Sequence, residues 1–221
     1  MLRKTAIILG MLSFSTLAWG EGFYLGAGVG PDFANFKQSS SVIMPGSFNV
    51  KNTTQMAGTG IFGTLFGGYG WRQQQFYLAG EANIDTSSVE SQASNDEFVH
   101  SSFSKTSYTI PNRFGLSVLP GYLLAQATLF YLRLAYANAN FKISTTDTSL
   151  ADVSKRLSGF RYGLGVNQEV SQHFAVRMEY SAIRYQNTTF TTFDKLSSVT
   201  KKTTITPESG QVEFGLVYNF G

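Results

Sequence analysis

Apolar residues recur at every second position over stretches of about ten residues, and the positions between them hold glycines, small residues and charges of both signs. A period of two is the signature of a β-strand, because successive side chains leave a strand on opposite faces. Eight such stretches run through the chain: Phe23 to Gly30, Gly60 to Gly70, Phe76 to Asp85, Arg113 to Leu123, Leu129 to Ala139, Arg161 to Val170, Phe174 to Tyr185 and Val212 to Phe220. In the sixth, Tyr162, Leu164 and Val166 alternate with Arg161, Gly163, Gly165 and Asn167. The second is the least regular. Its apolar face is assigned to Ile61, Leu65 and Tyr69, which sends Phe62 and Phe66 the other way.

Which face meets water decides the class. A soluble barrel is apolar inside and polar outside, and a membrane barrel reverses this. The polar faces here mix both charge signs with many glycines, a set that suits a narrow lumen where small residues make room and charges pair. Charged residues make up only 14% of the chain, against about 25% in ordinary soluble domains. No stretch beyond the first twenty residues is long and apolar enough for a membrane helix. The connections alternate in length: 31–58, 86–108, 142–156 and 186–208 are long and rich in Ser, Thr and Asn, while 70–75, 124–128 and 170–173 are short. Outer-membrane barrels have long outer loops and short periplasmic turns. The expectation is an all-β, eight-stranded antiparallel transmembrane up-and-down barrel with four long outer loops, three short periplasmic turns and both termini in the periplasm. Phe23, Tyr69, Trp71, Phe76, Tyr122, Phe130, Tyr136, Phe160, Tyr162, Tyr180, Tyr218 and Phe220 lie near the ends of the apolar faces, where interfacial aromatic belts are expected.

Residues 1–20 read as a separate segment. Arg3 and Lys4 precede the apolar run Thr5 to Phe14, and Ala18-Trp19-Gly20 forms a small-x-small cleavage site. This is the pattern of a Sec signal peptide, leaving 21–221 as the barrel domain. Its removal lowers the formal net charge from +3 to +1, since Arg3 and Lys4 leave with it. No basic stripe remains for nucleic acid. There are no cysteines, which excludes disulfides, thiolate metal sites and a cysteine nucleophile. The acids Glu97, Asp147 and Asp152 have no calcium-loop spacing, so neither a metal nor a cofactor is expected.

At this point the chain resembles the membrane domain of the OmpA-like, opacity-type outer-membrane proteins of the Gram-negative cell envelope. Leu65-Phe66-Gly67-Gly68-Tyr69-Gly70 looks like the end of that family's second strand, and Glu81 like its inward third-strand carboxylate. Ala175-Val176-Arg177-Met178-Glu179-Tyr180 is similar to its seventh-strand Arg-x-Glu-Tyr pattern. The end of the chain, with Glu213, Gly215, Tyr218 and Phe220, is similar to the signal read by the barrel-assembly machinery. The resemblance implies an outer-membrane location and two ion pairs in the lumen. By position, Glu81 and Arg177 form one. The other is replaced by Leu119 and Asn167, a joint loss that avoids an isolated buried charge costing about 3–5 kcal/mol.

Arg113, Arg133, Arg161, Arg177, Glu81, Glu179 and Glu213 are expected to converge in the lumen. An eight-stranded interior is just wide enough for side chains to fill, so a plug of paired charges is favoured over an ion filter. The functional expectation is a structural or surface-interacting protein, in membrane integrity or adhesion. It would be surrounded by outer-membrane lipid and lipopolysaccharide and could meet host or surface ligands through its loops. Two alternatives remain: a small low-conductance porin, and a lipid A-modifying enzyme using His100 with Ser101, Ser102 or Asp96. The second histidine, His173, lies at the periplasmic end. Lys201-Lys202, with Lys195 and Arg184, make a small basic group suited to lipopolysaccharide phosphates.

Overall fold

The computed structural model describes residues 21–44, 48–95, 104–125, 127–145, 153–194 and 199–220. The leader and the tips of the long connections, with His100, Asp96, Glu97, Ser101, Ser102, Asp147, Asp152 and Lys195, lie outside them. The described chain forms ten strands and no helix: β1 Gly22–Met44, β2 Phe48–Gln73, β3 Phe76–Ser87, β4 Glu90–Asn95, β5 Ser104–Ala125, β6 Thr128–Thr145, β7 Val153–Glu169, β8 Phe174–Tyr185, β9 Thr188–Asp194 and β10 Val199–Asn219. Every pairing is antiparallel. The order β1-β2-β3-β5-β6-β7-β8-β10 returns to β1 and closes a ring of eight strands. Closure satisfies each strand's backbone groups on both sides, which is what lets strands cross hydrocarbon. The short β4 resumes the path of β3 after a break at Ser88–Val89, and β9 resumes that of β8 after Gln186–Asn187.

The faces fall as the alternation requires. Phe23, Leu25, Val29, Leu65, Leu132, Leu164 and Met178 point outward and are exposed, while Arg133, Arg177 and Glu179 are 1% exposed. Phe62 and Phe66 do point inward, at 1% and 4%. The turn β2–β3 is tight, with Gln74 held at a positive φ of 58° and its carbonyl accepting from Arg72 Nε at 2.7 Å.

The long connections depart from expectation. Much of 31–58, 86–108, 142–156 and 186–208 is strand, not loop. β1 and β2 stay in register from Gly22↔Gly70 to Met44↔Phe48, and β6 and β7 pair as far as Ile143↔Val153. The sequence does not mark these extensions as strand, because their polarity pattern reverses without any change of parity. On β1 the outward row runs Val29, Pro31, Phe33 and then turns polar at Asn35 and Lys37, while the inward row passes from Asp32 to Ala34 and Phe36. On β6, outward Tyr136 gives way to Asn138, Asn140 and Lys142 while inward Ala137, Ala139 and Phe141 are buried. The barrel is therefore apolar outside within the membrane and apolar inside beyond it, as expected of a sheet that leaves hydrocarbon for water. On β5 the register shifts by one residue between Thr109 and Asn112, a bulge at Ile110-Pro111. It lets Ile110 and Arg113 both face inward.

Candidate functional site

The interior is built in three layers. At the periplasmic end Tyr24, Phe66, Tyr77, Leu119, Leu129 and Tyr131 pack into one apolar cluster. At the outer end Phe36, Tyr108, Ile110, Phe141, Ile183 and Ile205 belong to a second, with Met56 and Ile143 against it. Phe36 lies 5.7 Å from Tyr108 and 5.8 Å from Phe141, ring centre to ring centre. The charges sit between the two clusters.

Arg133, on β6, is the hub. Its Nε donates to Glu179 Oε1 at 2.7 Å, Nη2 to Glu179 Oε2 and to Glu81 Oε1 at 2.8 Å, and Nη1 to Ser117 Oγ at 2.7 Å. Arg177, on β8, donates from Nη1 to Glu81 Oε2 at 2.8 Å and from Nε to Asn167 Oδ1 at 3.1 Å, and its guanidinium carbon stands 4.0 Å from the centre of the Phe66 ring. Tyr24 and Tyr131 complete the shell, donating to Glu81 Oε2 at 2.9 Å and to Glu179 Oε2 at 2.7 Å. Arg161 reaches Glu179 at 3.2 Å, Asp85 at 3.4 Å and Glu213 at 3.9 Å. Arg113 pairs with Asp32, which also accepts from Ser87 at 2.5 Å and Ser209 at 2.8 Å.

All seven expected lumen residues are buried; Glu81, Arg133, Arg161, Arg177, Glu179 and Glu213 join one network, and Arg113 pairs with Asp32 apart from it. Glu81 and Arg177 are in contact, but Glu81 is shared with Arg133 rather than held in an isolated pair. Leu119 joins the periplasmic cluster, and Asn167 takes a hydrogen bond from Arg177. Two further carboxylates, not among the seven expected, line the lumen. Asp32 lies just past Pro31 in the expected loop 31–58, and Asp85 closes the third segment. Its oxygens accept from Thr64 and Asn83, each at 2.7 Å, as well as from Arg161. Both fall on the inward parity of their strands, the one signal that could have found them. Glu213 is the least supported carboxylate, since its Oε1 has no hydrogen-bond partner among the described residues. Gly28 makes room for it, because a Cβ there would stand 2.8 Å from Glu213 Cγ.

The aromatic residues face outward at two levels. Phe23 meets Tyr69 edge to face at 5.0 Å, Phe76 meets Tyr122 at 5.6 Å and Tyr218 meets Phe220 at 4.9 Å, all toward the short-turn end with Trp71 and Phe130. Tyr136, Phe160, Tyr162 and Tyr180 are exposed toward the other end. Gly215 sits behind this row, close to Arg177. His173 stacks on Tyr218 at 5.8 Å in the periplasmic turn. Of the expected basic group, Lys195 lies outside the described residues, Arg184 pairs with Glu208 at 3.0 Å, and Lys202 lies farther along β10. Among the described residues no group of three or more His, Cys, Asp or Glu could hold a metal.

The chain is similar to several solved structures. The crystal structure of the outer membrane protein OprG from Pseudomonas aeruginosa aligns over 92% of this chain and 100% of its own, with 11% identity and a TM-score of 0.58. Neisserial surface protein A aligns over 90% and 97%, with 16% identity and a TM-score of 0.46. The attachment invasion locus protein Ail of Yersinia pestis aligns over 83% and 98%, with 15% identity and a TM-score of 0.36. No curated protein matches the sequence. The family model described as outer membrane protein beta-barrel domain matches residues 5–220. The chain belongs to the outer-membrane β-barrel family.

Proposed function

We propose that this barrel acts from its surface, in membrane integrity or adhesion, and that its lumen is a structural plug rather than a pathway. The observation that carries this reading is the double closure of the interior. The network around Arg133 is capped by apolar side chains on both sides, Tyr24, Phe66 and Tyr131 below and Phe36, Tyr108 and Phe141 above. An ion crossing it would have to shed water against two apolar layers and separate charges already bound to each other. The test is electrical. Folded protein, verified by heat-modifiable gel mobility, is expected to give no current steps in planar bilayers, and steady unitary conductance would overturn the plug.

The same reading has the chain reach its place through the Sec pathway, with Glu21 as the new N-terminus, and fold on the barrel-assembly machinery through Gly215, Tyr218 and Phe220. N-terminal sequencing of the outer-membrane form tests the first point: a start at Glu21 supports it and retention of Arg3 and Lys4 refutes it. Catalysis plays no part. His100→Ala is expected to leave the lipid A profile unchanged, and a lost lipid A modification would establish the enzyme instead.

A further inference from the structure

Outside the membrane the wall of the barrel is cationic. On β1, β2 and β10 the outward rows that begin as Phe33, Ile61 and Val212 continue upward, in unbroken register, to Lys37, Lys51 and Lys202. Ser41 pairs with Lys51 on one side and Lys202 on the other, so the two lysines flank one serine, with Cα atoms about 10 Å apart at the usual strand spacing. Lys37 lies four residues nearer the membrane on the same row, about 13 Å along the strand. All three are exposed, and none is held in an ion pair among the described residues. The surface between them is Ser39, Thr53 and Gln55. Above the apolar band the outward acids among the described residues are Glu208, engaged by Arg184, and Glu90, whose carboxyl Ser107 and Gln92 hold below the usual range through hydrogen bonds. The other acids of the outer half are Asp194, at the end of β9, and Asp96, Glu97, Asp147 and Asp152, which belong to the long connections in sequence.

We propose that Lys37, Lys51 and Lys202 form a binding face for the phosphate groups of lipopolysaccharide in the surrounding outer leaflet. This rests on the surface-acting reading above and names one partner for it. The face points sideways, as the direct continuation of the lipid-facing rows, and begins where the apolar row ends at Phe33. Its neighbours are the head groups and inner sugars of the lipids around the barrel. Three ammonium groups that hold no ion pair among the described residues, on a floor of hydroxyls and amides, offer charge-assisted hydrogen bonds to phosphate. The register brings this group together from three strands, and the neighbouring Lys201-Lys202 pair in sequence does not reveal it.

The experiment compares wild-type protein with the triple variant Lys37→Gln, Lys51→Gln, Lys202→Gln, both folded in neutral detergent and both showing heat-modifiable mobility. Binding is measured for phosphorylated rough lipopolysaccharide, for the same material after enzymatic dephosphorylation, and for a heparin fragment. Wild type is expected to bind the phosphorylated form at least tenfold more tightly than either the dephosphorylated form or heparin, with affinity falling as salt rises. The triple variant is expected to lose that tenfold preference. The pair Lys142→Gln, Arg156→Gln, on the opposite wall, is expected to retain it. Equal binding of the two lipopolysaccharides by wild type, an undiminished preference in the triple variant, or tighter binding to heparin would overturn the assignment. None of these results bears on the closed lumen, which the conductance measurement tests separately.

Discussion

Arg133 and Glu179 meet through two parallel hydrogen bonds, Nε to Oε1 at 2.7 Å and Nη2 to Oε2 at 2.8 Å, in the middle of the membrane-spanning barrel. The fork geometry fixes both side chains, and the second contact of Nη2, to Glu81, ties the carboxylate of β3 to that of β8 through one cation. Removing Arg133 would leave two buried carboxylates without their shared counter-charge.

Arg133→Met is therefore expected to destabilise the barrel by about 3–5 kcal/mol, the usual cost of breaking a buried ion pair by removing one partner, because two carboxylates lose a cation at once although Arg177 and Arg161 remain beside them. Urea unfolding in lipid vesicles measures it. Arg177→Met should cost less, because Glu81 keeps Arg133 and Tyr24 as donors. A larger loss for Arg177 than for Arg133 would contradict the hub.

Arg177 and Glu81 should also be thermodynamically coupled. In the cycle of Arg177→Ala, Glu81→Ala and the double variant, a coupling of about 0.5–3 kcal/mol is expected for residues in one network. Additive losses would mean that the 2.8 Å contact adds nothing to stability.

The outer apolar layer should behave as the core of a soluble protein. Phe36→Ala removes a fully buried ring from between Tyr108 and Phe141 and is expected to cost about 3–5 kcal/mol, seen as faster cleavage of the outer hairpins by external protease. Asn35→Ala, one residue away on the solvated row, should leave cleavage unchanged.

Deleting Pro111 should remove the β5 bulge. With the extra residue gone, Ile110 and Arg113 stand two positions apart on one face, so Tyr108, Ile110 and Arg113 all stay inward and Tyr108 and Thr109 keep their β6 partners. The expected phenotype is a barrel with heat-modifiable mobility whose outer hairpins are as protected from protease as those of wild type. Protease-sensitive hairpins would show that the bulge does more than absorb one extra residue.

The membrane part of this fold was legible because lipid demands one continuous apolar row per strand, and rows such as Phe130, Leu132, Leu134 and Tyr136 show it directly. The extensions were not, for two reasons. Their outward row is polar, and on β2 the run Lys51 to Gln55 is exposed on both faces, so no alternation is left to see. The inward charges of the central segments could be named from parity, but their partners depend on register across the ring. Arg161 meets Asp85 and Glu179 from two different strands. Asp32 is hidden because Pro31, a residue that interrupts strand patterns, precedes it, and its contact with Arg113 because partners depend on register across the ring.

The reversal of polarity along each strand is the claim on which the rest stands, and the cysteine-free chain allows it to be measured site by site. Single cysteines at Val29, Phe33, Phe36 and Lys37 would each carry a fluorophore in protein refolded into vesicles, with brominated lipid as one quencher and iodide as the other. Quenching by lipid at Val29 and Phe33, by iodide at Lys37, and by neither at Phe36 is the predicted result. Lipid quenching at Lys37, or iodide reaching Phe36 as freely as Lys37, would contradict it.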